Sequence, residues 1–332
     1  MTPADLIRRL RQSLAPSTRP FAPWLPRLVA RVDYGLALPL LARLPRRLSQ
    51  PLARLRGRVN WWFDFDWRTL SLGHRYVKMA TLQGMEAVGQ LRSPPADARQ
   101  VELLARQRYA CAAREEVDSW RLPRLDFGRL HCEIIGLEHL QQARRDGQGV
   151  VLAKAHYDAL YIALGILARQ EGLVVNLMGT RVIFDPRIPP PIRRHYERKA
   201  QSLNQVLSPG RLAFFEDGMS FFVRALRRGE IVAMASDGTS TSPERAHPVN
   251  FLGRRLRMAS GLEFLARATD SPIAFFTCRE LSGQRFQIVI SKPLRLEEGG
   301  LQAAYDALQQ ALLQAPGAWW GADQYREYQD AP

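Results

Sequence analysis

Gly149-Val-Val-Leu-Ala-Lys-Ala-His156-Tyr-Asp158-Ala-Leu-Tyr161 is the stretch whose reading decides the fold. Residues 150–153 form an unbroken apolar run, the pattern of a strand covered on both faces. From Ala159 to Ala168 the composition becomes helical. The segment predicts a buried strand that delivers a histidine to the start of a helix. In open α/β sheets ligands gather outside the C-terminal ends of the strands, so His156 is the first candidate for chemistry.

The same alternation extends along the chain in both directions. His131–Ile135, Leu173–Met178, Ile231–Ala235, Pro272–Thr277 and Phe286–Ile290 read as strands. Gly136–Arg144, Arg193–Leu207, Met219–Arg228, Ser260–Ala268 and Leu301–Leu313 read as helices, with 193–207 expected to be exposed. Such alternation predicts an α/β fold with a mixed, largely parallel central sheet flanked by helices. Residues 60–122 read as helical, broken at Ser93-Pro-Pro-Ala96. Three parts are expected: a basic amphipathic extension over 1–60, a helical segment over 61–125 packed on the main domain, and an α/β domain over 126–332.

The 332 residues are 46% hydrophobic, enough for a substantial core. The three cysteines, Cys111, Cys132 and Cys278, are far apart and show no CxxC spacing. That argues against a disulfide framework or a zinc site. His131, His139 and His195 likewise lack metal-ligand spacing. No P-loop, Gly-x-Gly-x-x-Gly or Gly-x-Ser-x-Gly motif is present.

The net charge is +15, and its distribution is uneven. Residues 1–60 hold twelve arginines (8, 9, 11, 19, 27, 31, 43, 46, 47, 54, 56 and 58) against Asp5 and Asp33. Leu36–Pro45 and Leu48–Leu55 interleave leucine with arginine, the pattern of an interfacial amphipathic helix. The longest uncharged run there, Tyr34–Ala42, is far below the roughly 20 residues a spanning helix needs. The expected partner is an anionic membrane surface. A solvated helical extension is the plainer alternative. Nucleic acid is not expected, because no recognition motif or aromatic stacking platform accompanies the charge. The aromatic cluster Trp61-Trp-Phe-Asp-Phe-Asp-Trp67 fits either a membrane interface or ordinary helix packing.

Four stretches form an ordered set. They are the strand ending at His156, then Met178-Gly-Thr-Arg181, then Ala235-Ser-Asp237-Gly238, then Pro248–Gly253 followed by 260–276. This order resembles the lysophospholipid acyltransferase superfamily, and most closely its bacterial branch of late lipid A biosynthesis acyltransferases. The resemblance covers roughly residues 130–320. It includes Gly136-Leu-Glu-His139 before the strand, an arginine after the next strand, an Asp-containing turn and an aromatic-Leu-Gly turn at 251–253. The resemblance implies an O-acyltransferase that moves a fatty acyl group from acyl-carrier protein or coenzyme A to a hydroxyl of a lipid or glycan. It implies His156 as general base and no cofactor beyond the thioester co-substrate. The implied location is peripheral, on the cytoplasmic face of the bacterial inner membrane.

Two departures stand out. The family motif is histidine, four residues, then Asp or Glu, whereas the fifth position after His156 is Tyr161. The branch also tends to end in a Trp-x-x-His-Arg-Arg-like segment, where this chain has Pro316-Gly-Ala-Trp319-Trp320-Gly-Ala-Asp323. The second departure argues against the usual lipid A acceptor. The first leaves the orienting acid to be found. Asp158 is nearest in sequence, although Asp at such a junction is also a normal helix cap. Asp237 could reach His156 from a neighbouring strand end. Arg181, Tyr161 and Gly238 are the expected substrate-binding residues, with Arg181 suited to a phosphate or a developing negative charge. If neither acid restores the charge, the chain reads as an inactive relative serving as a lipid-binding or accessory subunit.

Overall fold

A computed structural model describes residues 20–239, 243–282 and 285–331. Arg8, Arg9, Arg11 and Arg19 of the basic N-terminus, and Ser240 to Ser242, lie outside the described residues.

The chain begins with a long helical hairpin. Its first arm is α1 (Leu25–Val32), a π-helical turn (Asp33–Ala37) and α2 (Leu38–Arg43); its second is α3 (Arg46–Phe63). A four-residue repeat governs the first arm. Pro26, Ala30, Tyr34, Leu38 and Ala42 are buried, while Trp24, Leu28, Val32, Leu36, Leu40 and Leu44 are exposed. An α-helix drifts by about 40° per four residues, so a strict repeat of four needs local underwinding. The π turn supplies it. Three more helices follow, α4 (Trp67–Leu72), α5 (Val77–Gln90) and α6 (Ala98–Arg121).

The α/β part carries β1 (His131–Ile135), α7 (Leu137–Arg145), β2 (Val150–Lys154), α8 (Leu160–Arg169), β3 (Val175–Gly179), α9 (Pro190–Leu207), β4 (Leu212–Phe214), α10 (Ser220–Arg227) and β5 (Ile231–Ala235). After β5 come β6 (Ala246–Phe251), β7 (Arg254–Ala259), α11 (Gly261–Thr269), β8 (Ile273–Ser282), β9 (Arg285–Ile290), α12 (Gly300–Gln314) and β10 (Gln329–Asp330). The main sheet has the order β1-β9-β8-β2-β5-β3-β4, parallel throughout except for the β8–β9 hairpin. This is the mixed, largely parallel sheet that the alternation predicts.

Every residue of β2 is buried. Val151 and Ala153 join the apolar layer shared with α10, α11 and α12, while Val150 and Leu152 join the one shared with α8 and α9. The chain leaves β2 for β3 on one side and passes from β5 to β8 on the other. The gap between β2 and β5 is therefore the topological switch point, the place where open α/β sheets bind their ligands.

Helix α6 is a charged hub buried at the centre of the molecule. Arg108 reaches Asp66 and Asp323, Glu115 reaches Lys199, and Glu116 reaches Arg56 and the Tyr34 hydroxyl. Asp118 reaches Arg46, while Arg121 donates to the carbonyls of Leu41 and Ala42. These contacts tie the N-terminal hairpin to the α/β part. The division expected after residue 60 falls inside α3, which runs unbroken to Phe63.

Several readings change. The helix expected to be exposed at 193–207 starts at Pro190 and buries His195, Tyr196, Lys199, Leu203 and Val206. Its charged residues had pointed to solvent, but His195 accepts from Trp120 at 2.6 Å and Lys199 pairs with Glu115 at 2.7 Å. The strands β6 and β7 were not foreseen. They pair antiparallel around a two-residue turn in which Leu252 and Gly253 both have positive φ, 52° and 73°. That is the signature of a tight primed hairpin turn. The aromatic cluster at 61–67 is divided between packing and exposure. Trp61 is buried edge-on against Tyr109, whereas Trp62 and Phe63 stand exposed.

Candidate active site

The register of the sheet builds the site. Lys154 at the end of β2 pairs with Ala235 at the end of β5. Two residues beyond the end of each strand stand His156 and Asp237. His156 Nδ1 lies 2.9 Å from Asp237 Oδ1, and the His156 backbone N–H donates to Asp237 Oδ2 at 2.9 Å. The carboxylate is wholly buried, and the imidazole keeps 24% of its side-chain surface exposed. One ring nitrogen is thus engaged by the acid, which leaves Nε2 to face a reactant.

The surroundings fix the carboxylate as firmly as the imidazole. The Trp319 indole N–H donates to Asp237 Oδ2 at 2.9 Å. The Tyr328 hydroxyl donates to the Asp237 carbonyl at 2.9 Å, and the Tyr305 hydroxyl to the Ser236 carbonyl at 3.0 Å. Burial by itself pushes the Asp237 carboxyl upward. The charge and hydrogen bonds of His156, with the Trp319 donor, outweigh burial and bring it down to about 2. The acid is therefore an anion at any working pH.

Asp158 is used otherwise. Its carboxylate pairs with Arg114 through Oδ1 and accepts the Glu280 backbone N–H at 3.0 Å through Oδ2. It is neither aimed at His156 nor a helix cap, since Ala159 occupies the N-cap position of α8. Asp158 also has a positive φ of 34°, a costly backbone state for a residue with a side chain. The Arg114 pair, the Ala318 carbonyl accepting from Asp158 N–H at 2.9 Å and the Trp320 indole on the Asp158 carbonyl at 3.3 Å hold it there.

Tyr161, where the family motif has its acid, makes no hydrogen bond to His156 among the described residues. The Lys199 ammonium sits over its ring at 4.1 Å, and the Trp320 ring lies 6.3 Å away. Burial raises its hydroxyl pKa, with Lys199 opposing. Lys154 shares this buried floor. Burial pushes its ammonium down to about 8 against the pull of Asp237, with Lys199 reinforcing burial.

Arg181 follows β3 at the same end of the sheet but is spoken for. It makes a two-point pair with Asp217 at 2.9 and 2.8 Å and lies over the Phe214 ring. Gly238 directly follows Asp237, and a Cβ there would meet nothing within 4 Å. Sequence reasoning missed the C-terminal wall. Trp320 packs edge-on against the His156 ring at 4.8 Å, and the Gly321 N–H donates to the His156 carbonyl at 3.2 Å. Trp319-Trp320-Gly321 was legible as an unusual ending but gave no sign of which strand end it would meet.

A histidine oriented by a buried carboxylate can take a proton from a hydroxyl and return it to a leaving group. No curated protein matches the chain. The family model described as bacterial lipid A biosynthesis acyltransferase matches residues 102–318, well over half of the sequence and all of the sheet that carries His156 and Asp237. The chain belongs to the bacterial lipid A biosynthesis acyltransferase family.

Proposed function

We propose that the protein is a peripheral membrane O-acyltransferase. It moves a fatty acyl group from acyl-carrier protein or coenzyme A to a hydroxyl of a lipid or glycan acceptor. Family membership supports acyl transfer onto a lipid-like substrate. The observation that carries the reading further is the 2.9 Å contact between His156 Nδ1 and Asp237 Oδ1.

In this reading His156 Nε2 takes the acceptor O–H proton as the oxygen attacks the thioester carbonyl. The tetrahedral intermediate collapses with loss of the C–S bond. The thiolate then recovers the proton from the imidazolium. Asp237 holds Nδ1 and offsets the positive charge that forms on the ring. Gly238 leaves open space beside the acid for a substrate. Arg181 is the rim cation for a phosphate of donor or acceptor, which would displace Asp217. Tyr161 supports the site from below rather than touching the substrate. The alternative of an inactive accessory subunit rested on Tyr161, and the carboxylate of Asp237 weighs against it.

The hairpin supports a membrane surface as partner. Leu48, Leu52, Leu55, Val59 and Trp62 are exposed along α3, as Leu28, Leu36 and Leu40 are on the first arm. Arg27, Arg31, Arg43, Arg47, Arg54 and Arg58 are exposed on the same two arms. Apolar side chains flanked by arginine suit an anionic bilayer surface. No helix among the described residues is long and apolar enough to cross a membrane. Docking at the cytoplasmic face of the inner membrane remains part of this proposal. So does the division into a membrane-associating N-terminal part, a helical segment and an acyltransferase-like α/β domain.

The test is transfer from labelled acyl-carrier protein or acyl-coenzyme A to total bacterial membrane lipid, with His156→Ala beside the wild type. Label entering lipid with the wild type alone supports the reading. Equal transfer by both, or by neither, sinks it.

A further inference from the structure

The family match ends at residue 318, and one residue beyond it Trp319 donates to the Asp237 carboxylate. Residues 318–321 lie across the His156 turn like a short strand. Asp158 N–H donates to the Ala318 carbonyl at 2.9 Å, Tyr157 and Trp319 form an isolated antiparallel bridge, and Gly321 N–H returns to the His156 carbonyl at 3.2 Å. The two tryptophans then divide the pair between them. Trp320 stands edge-on to the imidazole, and Trp319, fully buried, turns its indole N–H onto Asp237 Oδ2.

A carboxylate that accepts only from His156 could present either oxygen to Nδ1 and rotate between them. Here Oδ2 is already filled twice, by the His156 amide and by the Trp319 indole, which leaves Oδ1 for the imidazole. Space is as restrictive as bonding. A Cβ on Gly321 would stand 2.7 Å from Asp237 Oδ2, 2.9 Å from His156 Cβ and 3.1 Å from Trp319 Nε1. Backbone without a side chain is needed for all three groups to meet.

We propose that Trp319 is a positioning residue of the His156–Asp237 pair: its indole N–H fixes the carboxylate rotamer, and through it the Nδ1–H tautomer of the imidazole. The inference rests on the reading of His156 and Asp237 as base and acid, and its test includes a readout independent of turnover.

The experiment compares full-length wild type, Trp319→Phe and Trp320→Phe, each labelled with 15N-histidine. The Nδ1–H proton of His156 is assigned by its absence in His156→Ala. Phe keeps the ring bulk at 319 but removes the donor, and Trp320→Phe removes an N–H that goes to the Asp158 carbonyl instead. Trp319→Phe is expected to speed exchange of the Nδ1–H proton at least about tenfold, or to show both tautomers, while Trp320→Phe leaves the tautomer unchanged. Transfer should follow, with kcat down about ten- to a hundredfold and KM within about twofold, the size expected for losing a hydrogen bond to a charged group. Gly321→Ala keeps the indole but crowds the carboxylate, and should give the same spectroscopic change if Trp319→Phe does not fold. A folded Trp319→Phe with the wild-type tautomer and an exchange rate within about twofold overturns the inference. Full transfer by His156→Ala overturns instead the reading on which it rests.

Discussion

His156 and Asp237 stand 81 residues apart in sequence, yet their side chains meet at 2.9 Å because parallel pairing sets Lys154 beside Ala235. The carboxylate beside His156 thus comes from the neighbouring strand rather than from position 161 on the next turn of helix. Its anionic state also couples stability to pH. The Asp237 carboxyl is depressed from an ordinary value of 3.8 to about 2. A depressed carboxyl contributes stability that is present above the unfolded-state value and lost as pH falls through the folded one. About 2 kcal/mol should disappear between roughly pH 4 and pH 2. Chemical denaturation across that window should show a shallower pH dependence for Asp237→Asn. An unchanged slope would mean that the pair does not hold the charge.

Tyr161 is predicted to be dispensable for proton transfer. Its ring carries the Lys199 cation at 4.1 Å, and Phe preserves that face. Tyr161→Phe should keep transfer within about threefold of wild type, because the substitution removes no group that touches His156. A loss comparable to that of His156→Ala would return the orienting role to position 161.

Arg114 is predicted to be a stability residue with a consequence for the site. Its guanidinium faces Asp158 and also reaches Glu280 at 3.1 Å, both carboxylates being buried. Removing the cation leaves Asp158 without its ion partner, while Glu280 keeps Arg46 at 2.6 Å, an effect worth about 3 kcal/mol. Arg114→Met should lower the urea midpoint accordingly. Asp158→Asn should cost less, because Asn tolerates the positive φ and still accepts from Glu280 N–H. A midpoint unchanged in Arg114→Met would rule out this account of the turn.

Membrane docking is best tested by substitution, since deleting residues 1–60 would strip Arg46, Gln50 and Arg56 from buried partners. Leu36→Glu, Leu40→Glu and Leu52→Glu together alter only exposed positions. The triple variant should keep the wild-type melting temperature within a few degrees and lose at least about tenfold in flotation with phosphatidylglycerol vesicles. Wild-type binding should weaken as salt rises, because exposed arginines contribute about 1 kcal/mol each near an anionic surface. Full binding by the triple variant would exclude the hairpin as the docking face.

Much of the frame was legible in the sequence. The strands at 150–154 and 231–235 stand where their apolar runs put them, and His156 and Asp237 follow their ends. Which acid serves His156 was not legible. Asp158 is nearer in sequence, and only strand order brings Asp237 abreast of the histidine. The partners of the α6 charges were not legible for a related reason. Arg108, Glu115 and Asp118 look like a solvated face until their partners from distant segments are known. The C-terminal tryptophans were visible as a departure, but their role depends on a three-dimensional neighbour that spacing does not reveal. The repeat of four in the first arm was there to be read at 24–44, and the π turn explains why it holds one face.

The central claim is that His156 and Asp237 act as one unit in acyl transfer. The most direct measurement is the rate of label transfer to membrane lipid by wild type, His156→Ala and Asp237→Asn at equal folded concentration. Asn keeps the shape of the acid but removes its charge, which in a comparable triad costs about ten-thousandfold. Both variants are predicted to fall at least about a thousandfold, to similar residual rates. Wild-type transfer by either variant would contradict the account.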